Sequence, residues 1–260
     1  IAAALQQRTE EVVTELTDAA MQRFDCSTLA LAGGVFANVG LNQSLLELDS
    51  VKDVFIHPNM GDGGLGVGAA YAYWAKQAKE GHYSNPKFIE TVYYGTESTN
   101  NEIKSALEAA DLSYEAPDNP DKYVGELLAE GYVVGRYDGR LEYGPRALGN
   151  RSILAMPTDP TCQDWLNDRL DRTEFMPFAP SILSSHIEDY FVDTSTGVDA
   201  GRFMTITFDV TELGKQVAPA TVHIDGTARP QIVYQSDAPG YHRVIERFEE
   251  ETGIPLVLNT

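Results

Sequence analysis

Over its first eighty residues the chain alternates amphipathic helical stretches with short apolar runs, and this alternation constrains the fold more than any other feature. Apolar side chains fall at helical spacing through residues 1–24 (Ile1, Ala4, Leu5, Val12, Val13, Leu16), and a short apolar run from Thr28 to Leu31 leads into Gly33-Gly34. A second helix is expected from about Phe36 to Leu48, then a strand from Asp53 to His57. The glycine-dense passage Gly61-Asp62-Gly63-Gly64-Leu65-Gly66-Val67-Gly68 then opens a helix through Ala69 to Ala78. Strands separated by helices are joined by crossovers rather than hairpins, so the chain is expected to be α/β with at least part of its sheet parallel. Gly81 to Pro86, rich in turn formers, reads as a linker.

Beyond the linker the order is more mixed. Strands are expected at Phe88–Tyr94, Tyr132–Tyr137, Ala179–Leu183, Arg202–Val210, Gln231–Tyr234 and Leu256–Leu258. Helices are expected at Asn100–Ala110, Asp121–Glu130, Thr161–Leu170 and Tyr241–Thr252. At ~100–200 residues per domain the 260 residues accommodate two, divided here as 1–85 and 86–260. The chain opens without Met, directly in a helical pattern, and closes on the buried-strand pattern Ile254 to Thr260. Natural termini are usually polar and frayed, so the sequence reads as part of a longer protein.

Charge narrows the function. Asp and Glu number 39 against 19 Lys and Arg, a formal net charge of -20, which disfavours nucleic-acid or anionic membrane surfaces as partners. An anionic small molecule must therefore meet a local arginine cluster inside an acidic protein. Cys26 and Cys162 stand far apart in no metal-ligand spacing, which favours a reducing, cytoplasmic setting over a disulfide framework. No apolar run reaches the ~18 residues a membrane span needs, and residues 1–7 carry no secretion signal.

The strongest chemical signal is Gly139-Arg140-Leu141-Glu142-Tyr143-Gly144-Pro145-Arg146-Ala147-Leu148-Gly149-Asn150-Arg151-Ser152. Three arginines whose planar forks match phosphate or carboxylate lie among glycines and a proline, with Asn150 and Ser152 as neutral hydrogen-bonding groups. Solvated arginines on a surface loop are the bland alternative, disfavoured by the rigid Gly-Pro-Arg and by the apolar Ile153-Leu154-Ala155 that follow. Gly33 and Gly34 can bring backbone N–H groups to a phosphate with Asn38 beside them, or can simply make a tight strand-to-helix turn. Asp62, uncrowded among glycines, suits a hard metal or a ligand hydroxyl, or caps the helix after it; His57 is either a second ligand or the end of a strand. Arg172 to Pro180 (Arg-Thr-Glu-Phe-Met-Pro-Phe-Ala-Pro) can floor a pocket or brace a strand edge. In His223-Ile224-Asp225-Gly226-Thr227-Ala228-Arg229-Pro230-Gln231, Arg229 is favoured over His223 for substrate contact.

Taken in order, Ala32–Asn38, Gly61–Gly68, Gly139–Ser152, Glu174–Pro180 and His223–Gln231 resemble the O-carbamoyltransferases of nodulation-factor and antibiotic tailoring, relatives of tRNA threonylcarbamoylation enzymes. The resemblance spans nearly the whole chain, and GRLEYGPRALGNRS is its most specific part. It implies an actin/sugar-kinase/Hsp70-like transfer domain, of which residues 1–85 would be the C-terminal half, followed by a YrdC-like domain. The latter would form carbamoyl-adenylate from carbamoyl phosphate and ATP, for transfer to the hydroxyl of a small acceptor. The resemblance makes Arg140, Arg146 and Arg229 the catalytic anion holders, with Asn150, Arg151, Ser152 and Thr227 nearby, and places Gly33, Gly34 and Asn38 against nucleotide. Asp62 would be one ligand of a divalent metal, with iron expected there and magnesium accompanying ATP. The family's paired metal histidines would lie upstream of Ile1, its chain would continue past Thr260, and a homodimer would be one way to cover the exposed faces. Where the family often has arginine before Pro-Phe-Ala-Pro, this chain has Met176, with Arg172 the candidate to replace it.

Adenylation places negative charge around a transferring phosphoryl group, which positioned arginines stabilise best in a dry cleft, and a carbamoyl-adenylate must be kept from water. A sugar-kinase-like phosphotransferase would leave the arginine run without a role. A tRNA-modifying factor would have to overcome the charge of -20. A non-catalytic nucleotide-binding module would bind without turnover.

Overall fold

A computed structural model describes residues 1–84, 89–169 and 178–260, apart from the side chains of residues 163 and 164. The first segment is the expected alternation. Helix α1 (Ala2–Phe24) ends where Asp25 turns left-handed, φ 48°, with Arg23 in the last turn complementing the helix dipole. Strand β1 (Thr28–Leu31) pairs in parallel with β2 (Asp53–Ile56), Leu31 opposite Ile56. Between them, residues 34–37 form a 3₁₀ turn before α2 (Val39–Leu46), so the helix expected from Phe36 begins three residues later. Asn38 sets that start: its side-chain oxygen accepts the Leu41 N–H at 3.2 Å, an N-cap. The glycine passage makes a second 3₁₀ turn and then α3 (Leu65–Lys79).

The second segment opens with α4 (Asn100–Ala109), whose Thr99 and Glu102 form a reciprocal capping box, and α5 (Pro120–Ala129), which has Pro at its first position. Strands β3 (Val134–Tyr137) and β4 (Arg151–Ala155) flank the arginine run. Helix α6 (Thr161–Arg169), β5 (Ala179–Leu183), α7 (Ile187–Tyr190), α8 (Val198–Gly201), β6 (Phe208–Asp209) and α9 (Glu212–Val217) follow. Strands β7 (Thr227–Ala228) and β8 (Gln231–Val233), helix α10 (Pro239–Thr252) and strand β9 (Leu256–Asn259) complete the described chain. One five-stranded sheet has the order β3-β4-β9-β5-β8, antiparallel except for the parallel β5–β8 pair. Helix α10 ends at Gly253, φ 73°, and buries Tyr241, Val244, Ile245 and Phe248 at helical spacing. It packs on α5 where Gly125 leaves no side chain; a Cβ there would lie 2.7 Å from the Val244 carbonyl.

Two expected strands take another form. Residues 89–94 form no strand and hold a single bridge, Tyr93 to Glu142, with the Tyr94 N–H folded back on Val92 O at 3.0 Å; Phe88 lies outside the described residues. Of Arg202–Val210 only Phe208–Asp209 is a strand; the chain leaves α8 through Met204 at φ 55°, a left-handed turn that no ladder accommodates. Arg172, Met176 and most of the Glu174–Pro180 passage lie outside the described residues, as do Asn85 and Pro86 of the expected linker and Leu170.

The two segments share a core. Leu31, Leu41, Leu45, Val54, Ile56 and Met60 pack in one buried cluster with Ile182, Ile206, Phe208 and Leu256. Polar bonds join them too: the fully buried Asn42 gives its amide N–H groups to Phe36 O (2.8 Å) and Thr205 O (2.7 Å), and Thr207 gives its hydroxyl to Val39 O (3.2 Å). Among the described residues no helix is long and apolar enough to cross a membrane.

Candidate active site

The arginine run is a loop between β3 and β4, held from both sides of its backbone. From below, Glu142, 9% exposed, accepts three backbone N–H groups on one oxygen: Leu148 (3.0 Å), Asn150 (2.8 Å) and Arg151 (3.0 Å). Its carbonyls are held as firmly. The buried Arg136 donates to Gly149 O at 2.7 Å, Gln231 to Leu148 O at 2.8 Å, Tyr93 OH to Leu148 O at 2.8 Å, and Asn259 to Ala147 O at 3.1 Å. Gln231 and Asn259 are in turn bonded to each other and to Ser181, all buried on neighbouring strands β8, β9 and β5. Burial, and then the nearby Glu142 carboxylate, push the Tyr93 hydroxyl well above the ordinary tyrosine range, which keeps it a donor.

Each arginine of the run has a different fate. Arg151 gives its fork to the carbonyls of Asp138 (2.8 Å), Asn150 (2.9 Å), Gly139 (3.2 Å) and Thr96 (3.4 Å), and stacks over the Tyr137 ring at 3.6 Å. Arg140 is exposed, its carbonyl tied to Asn150 Nδ2 at 2.8 Å. Arg146 turns the other way, toward the first segment, where its Nη2 lies 3.5 Å from Ala37 O. Its Nε is buried without a hydrogen-bond partner, no carboxylate among the described residues pairs with it, and desolvation lowers its pKa below the usual arginine value. A half-buried guanidinium with no carboxylate partner among the described residues leaves charge that an anionic ligand can take up.

The loop rests directly on the first segment. Gly144 has φ 121°, and a Cβ there would lie 2.9 Å from Pro58 O. The neighbouring Tyr143 ring meets His57 edge-on, centroids 5.9 Å apart. Gly144→Ala is expected to destabilise the protein by ~1–3 kcal/mol in chemical denaturation, from backbone strain together with the clash that lifts the loop off Pro58. An unchanged midpoint would show that the loop can dock without that contact.

Beside this junction lies an open groove of about 500 Å³ lined by Ala32, Gly33, Gly34, His57, Asn59 and Asp62 among others. The structure thus brings Gly33, Gly34 and Asp62 to one groove, while Arg146 reaches the first segment at Ala37 and does not line it. Gly33 is left-handed, φ 121°, its N–H spent on Met60 O at 2.7 Å. A Cβ at Gly33 or Gly34 would meet nothing within 4 Å, so space for a ligand remains over them. Asp62 is exposed and makes no capping bond. His57 accepts the Asn59 N–H on Nδ1 at 3.2 Å, and its buried Nε2 has no hydrogen-bond partner among the described residues. Among the described residues no three His, Cys, Asp or Glu side chains converge on one point, at Asp62 or elsewhere.

Other candidates are engaged in the fold itself. Asn38, besides capping α2, pairs its amide with that of Gln6 at 2.7 and 3.1 Å. Asn150 accepts Arg136 Nη1 at 3.2 Å, and the buried Ser152 hydroxyl accepts the Gly149 N–H at 2.9 Å. Thr227 gives its hydroxyl to Asp225 at 2.7 Å and faces His223 Nδ1 at 3.2 Å. Burial lowers the His223 pKa, as does the nearby Arg229 charge, while Asp225 opposes them. Arg229 lies half-buried between β7 and β8.

Family comparison agrees with this organisation. Residues 1–71 match the family model for the carbamoyltransferase N-terminus and residues 125–260 that for the carbamoyltransferase C-terminus. The chain belongs to the carbamoyltransferase family. It is 36% identical to an uncharacterized protein of Methanocaldococcus jannaschii, with all of this chain and 42% of that protein aligned. Nodulation protein NolO of Bradyrhizobium diazoefficiens is 34% identical over all of this chain and 47% of its own length. Nodulation protein U of Rhizobium tropici is 34% identical over 93% of this chain and 40% of its own length. The chain therefore spans less than half the length of these relatives.

Proposed function

We propose that this chain carries the anion-binding part of an ATP-dependent O-carbamoyltransferase, which activates carbamoyl phosphate to carbamoyl-adenylate and passes the carbamoyl group to an acceptor hydroxyl. The observation that carries the reading is Arg146: a half-buried guanidinium whose Nε has no hydrogen-bond partner and which pairs with no carboxylate among the described residues, held on a rigid loop at the junction of two segments. Its planar fork matches a phosphoryl group, and burial strengthens the attraction. In the transfer step the acceptor oxygen bonds to the carbamoyl carbon, the bond from that carbon to the adenylate oxygen breaks, and the hydroxyl proton leaves. AMP then departs with the charge that arginine stabilises. Arg140, exposed on the same loop, and Arg229 are the further anion contacts in this reading, with Gly33 and Gly34 leaving the groove open to nucleotide. The first segment is read as part of an actin-like transfer domain and the second as a YrdC-like activating domain. The parallel β1–β2 pair and the mixed five-stranded sheet are consistent with that division.

The test is calorimetric titration with carbamoyl phosphate and with a non-hydrolysable ATP analogue, repeated on Arg146→Gln. Carbamoyl phosphate binding should weaken about 30- to 100-fold in the variant, the worth of a charge-assisted bidentate contact. Binding at full strength by Arg146→Gln would remove the assignment.

A further inference from the structure

We propose that Glu142 is a positioning residue for anion capture: it orders the loop that presents Arg146 while leaving that arginine's charge uncompensated. The inference rests on the carbamoyl phosphate reading above. Glu142 sits in a run with Arg140, Arg146 and Arg151, and the simplest use of a buried carboxylate there would be an ion pair. Among the described residues it makes none. Its Oε1 instead takes the backbone N–H groups of Leu148, Asn150 and Arg151. Those three bonds close the chain back on itself just after Arg146, and the backbone bridge from Glu142 to Tyr93 fixes where the closure sits.

The carbonyls of Ala147, Leu148 and Gly149 are taken by Asn259, Gln231, Tyr93 and Arg136. With most of these donors and acceptors spent, the backbone after Arg146 is held to one path, from which the side chain reaches Ala37 O at 3.5 Å. A carboxylate paired with Arg146 would neutralise the cation and compete with a phosphoryl ligand. The negative charge is thus satisfied by peptide dipoles, and the positive charge is kept for the ligand.

The role is separable from mere structural support by its coupling to Arg146. Carbamoyl phosphate would be titrated into the parent, Glu142→Gln, Arg146→Gln and the double variant, with amide hydrogen exchange followed at Leu148, Asn150 and Arg151. Glu142→Gln is expected to weaken binding roughly tenfold or more and to speed exchange at those three amides, because a neutral amide oxygen holds them less strongly. The double variant should bind no more weakly than Arg146→Gln alone, since a displaced arginine and an absent one are equivalent. Losses that multiply in the double variant, or a Glu142→Gln protein that binds like the parent, overturn the proposal. Should Glu142→Gln not fold, Glu142→Asp keeps the charge but withdraws it by one methylene, and the same cycle applies. A folded parent that binds no carbamoyl phosphate sinks the functional reading instead. In that case unchanged exchange in the variant also ends the claim that Glu142 orders the loop, and faster exchange upholds it.

Discussion

Gly149→Ala is expected to destabilise the protein by ~3–5 kcal/mol, measured as the free energy of urea unfolding. Gly149 has φ 107°, and a Cβ there would lie 2.7 Å from Cγ and Cε1 of the Tyr241 ring, with Cδ1 nearer still. Neither side can give way. Tyr241 is fully buried in α10 among Leu128, Val244 and Phe248, and Gly149 is tied at its N–H to Ser152 and at its carbonyl to Arg136. The cost therefore joins backbone strain to overpacking. Gly131→Ala is the control, because φ there is 90° but a Cβ would meet nothing within 4 Å. It should show the strain alone, ~1–3 kcal/mol. Equal losses at the two positions would mean that the ring is not the barrier.

Arg136→Met is expected to cost ~3–4 kcal/mol, the lower part of the range for breaking a buried ion pair, because one of its partners keeps water. The Arg136 side chain is 5% exposed and contacts Asp138 at 2.6 Å and Asp121 at 3.6 Å, the first 57% and the second 21% exposed. The same guanidinium holds the Gly149 carbonyl and lies 5.6 Å from the Tyr241 ring centre. Methionine preserves much of the volume but strands that carbonyl and leaves Asp121 to Arg243 alone, at 2.8 Å. Arg136→Lys should recover only part of the loss, since a single ammonium cannot serve the carbonyl and both carboxylates in the same geometry. Full recovery by lysine would reduce Arg136 to a point charge.

How much of this could be read beforehand depended on whether the signal was local. The first segment's strands were legible because Thr28–Leu31 and Asp53–Ile56 are apolar runs closed by turn formers, whereas Asn38, read as a nucleotide contact inside a helix, is the cap that starts it. The arginine run was legible for a chemical reason, its charge contrast with the whole chain. Reading failed where the tertiary fold overrides local preference. Arg202–Val210 is rich in strand formers, yet most of it goes to bury Phe203, Met204 and Ile206 and to bond Thr205 to Asn42. The loop's supports were missed for a related reason. Arg136 interrupts an otherwise apolar strand and Asn259 ends another, each a hint of a buried polar partner, but nothing local tells that both aim at residues 147–149. Nor does the run itself tell which arginine is spent; Arg151, grouped with Arg146 by sequence, gives its fork to backbone carbonyls.

The strand order carries a consequence for assembly in time. Strand β9, residues 256–259, lies between β4 and β5, which do not touch each other in the ladder. During synthesis, β3 and β4 can form their hairpin as soon as the loop between them is made. The parallel β5–β8 pair can form once β8 has appeared, but the two halves have no common edge until β9 emerges. Until then two strand edges stay open and the carbonyl of Ala147 lacks its Asn259 donor, so the loop between β3 and β4 is among the last parts to set. Nascent chains halted before residue 256 should therefore expose β4 and β5 to wrong partners, a hazard that chaperones or rapid elongation would have to contain.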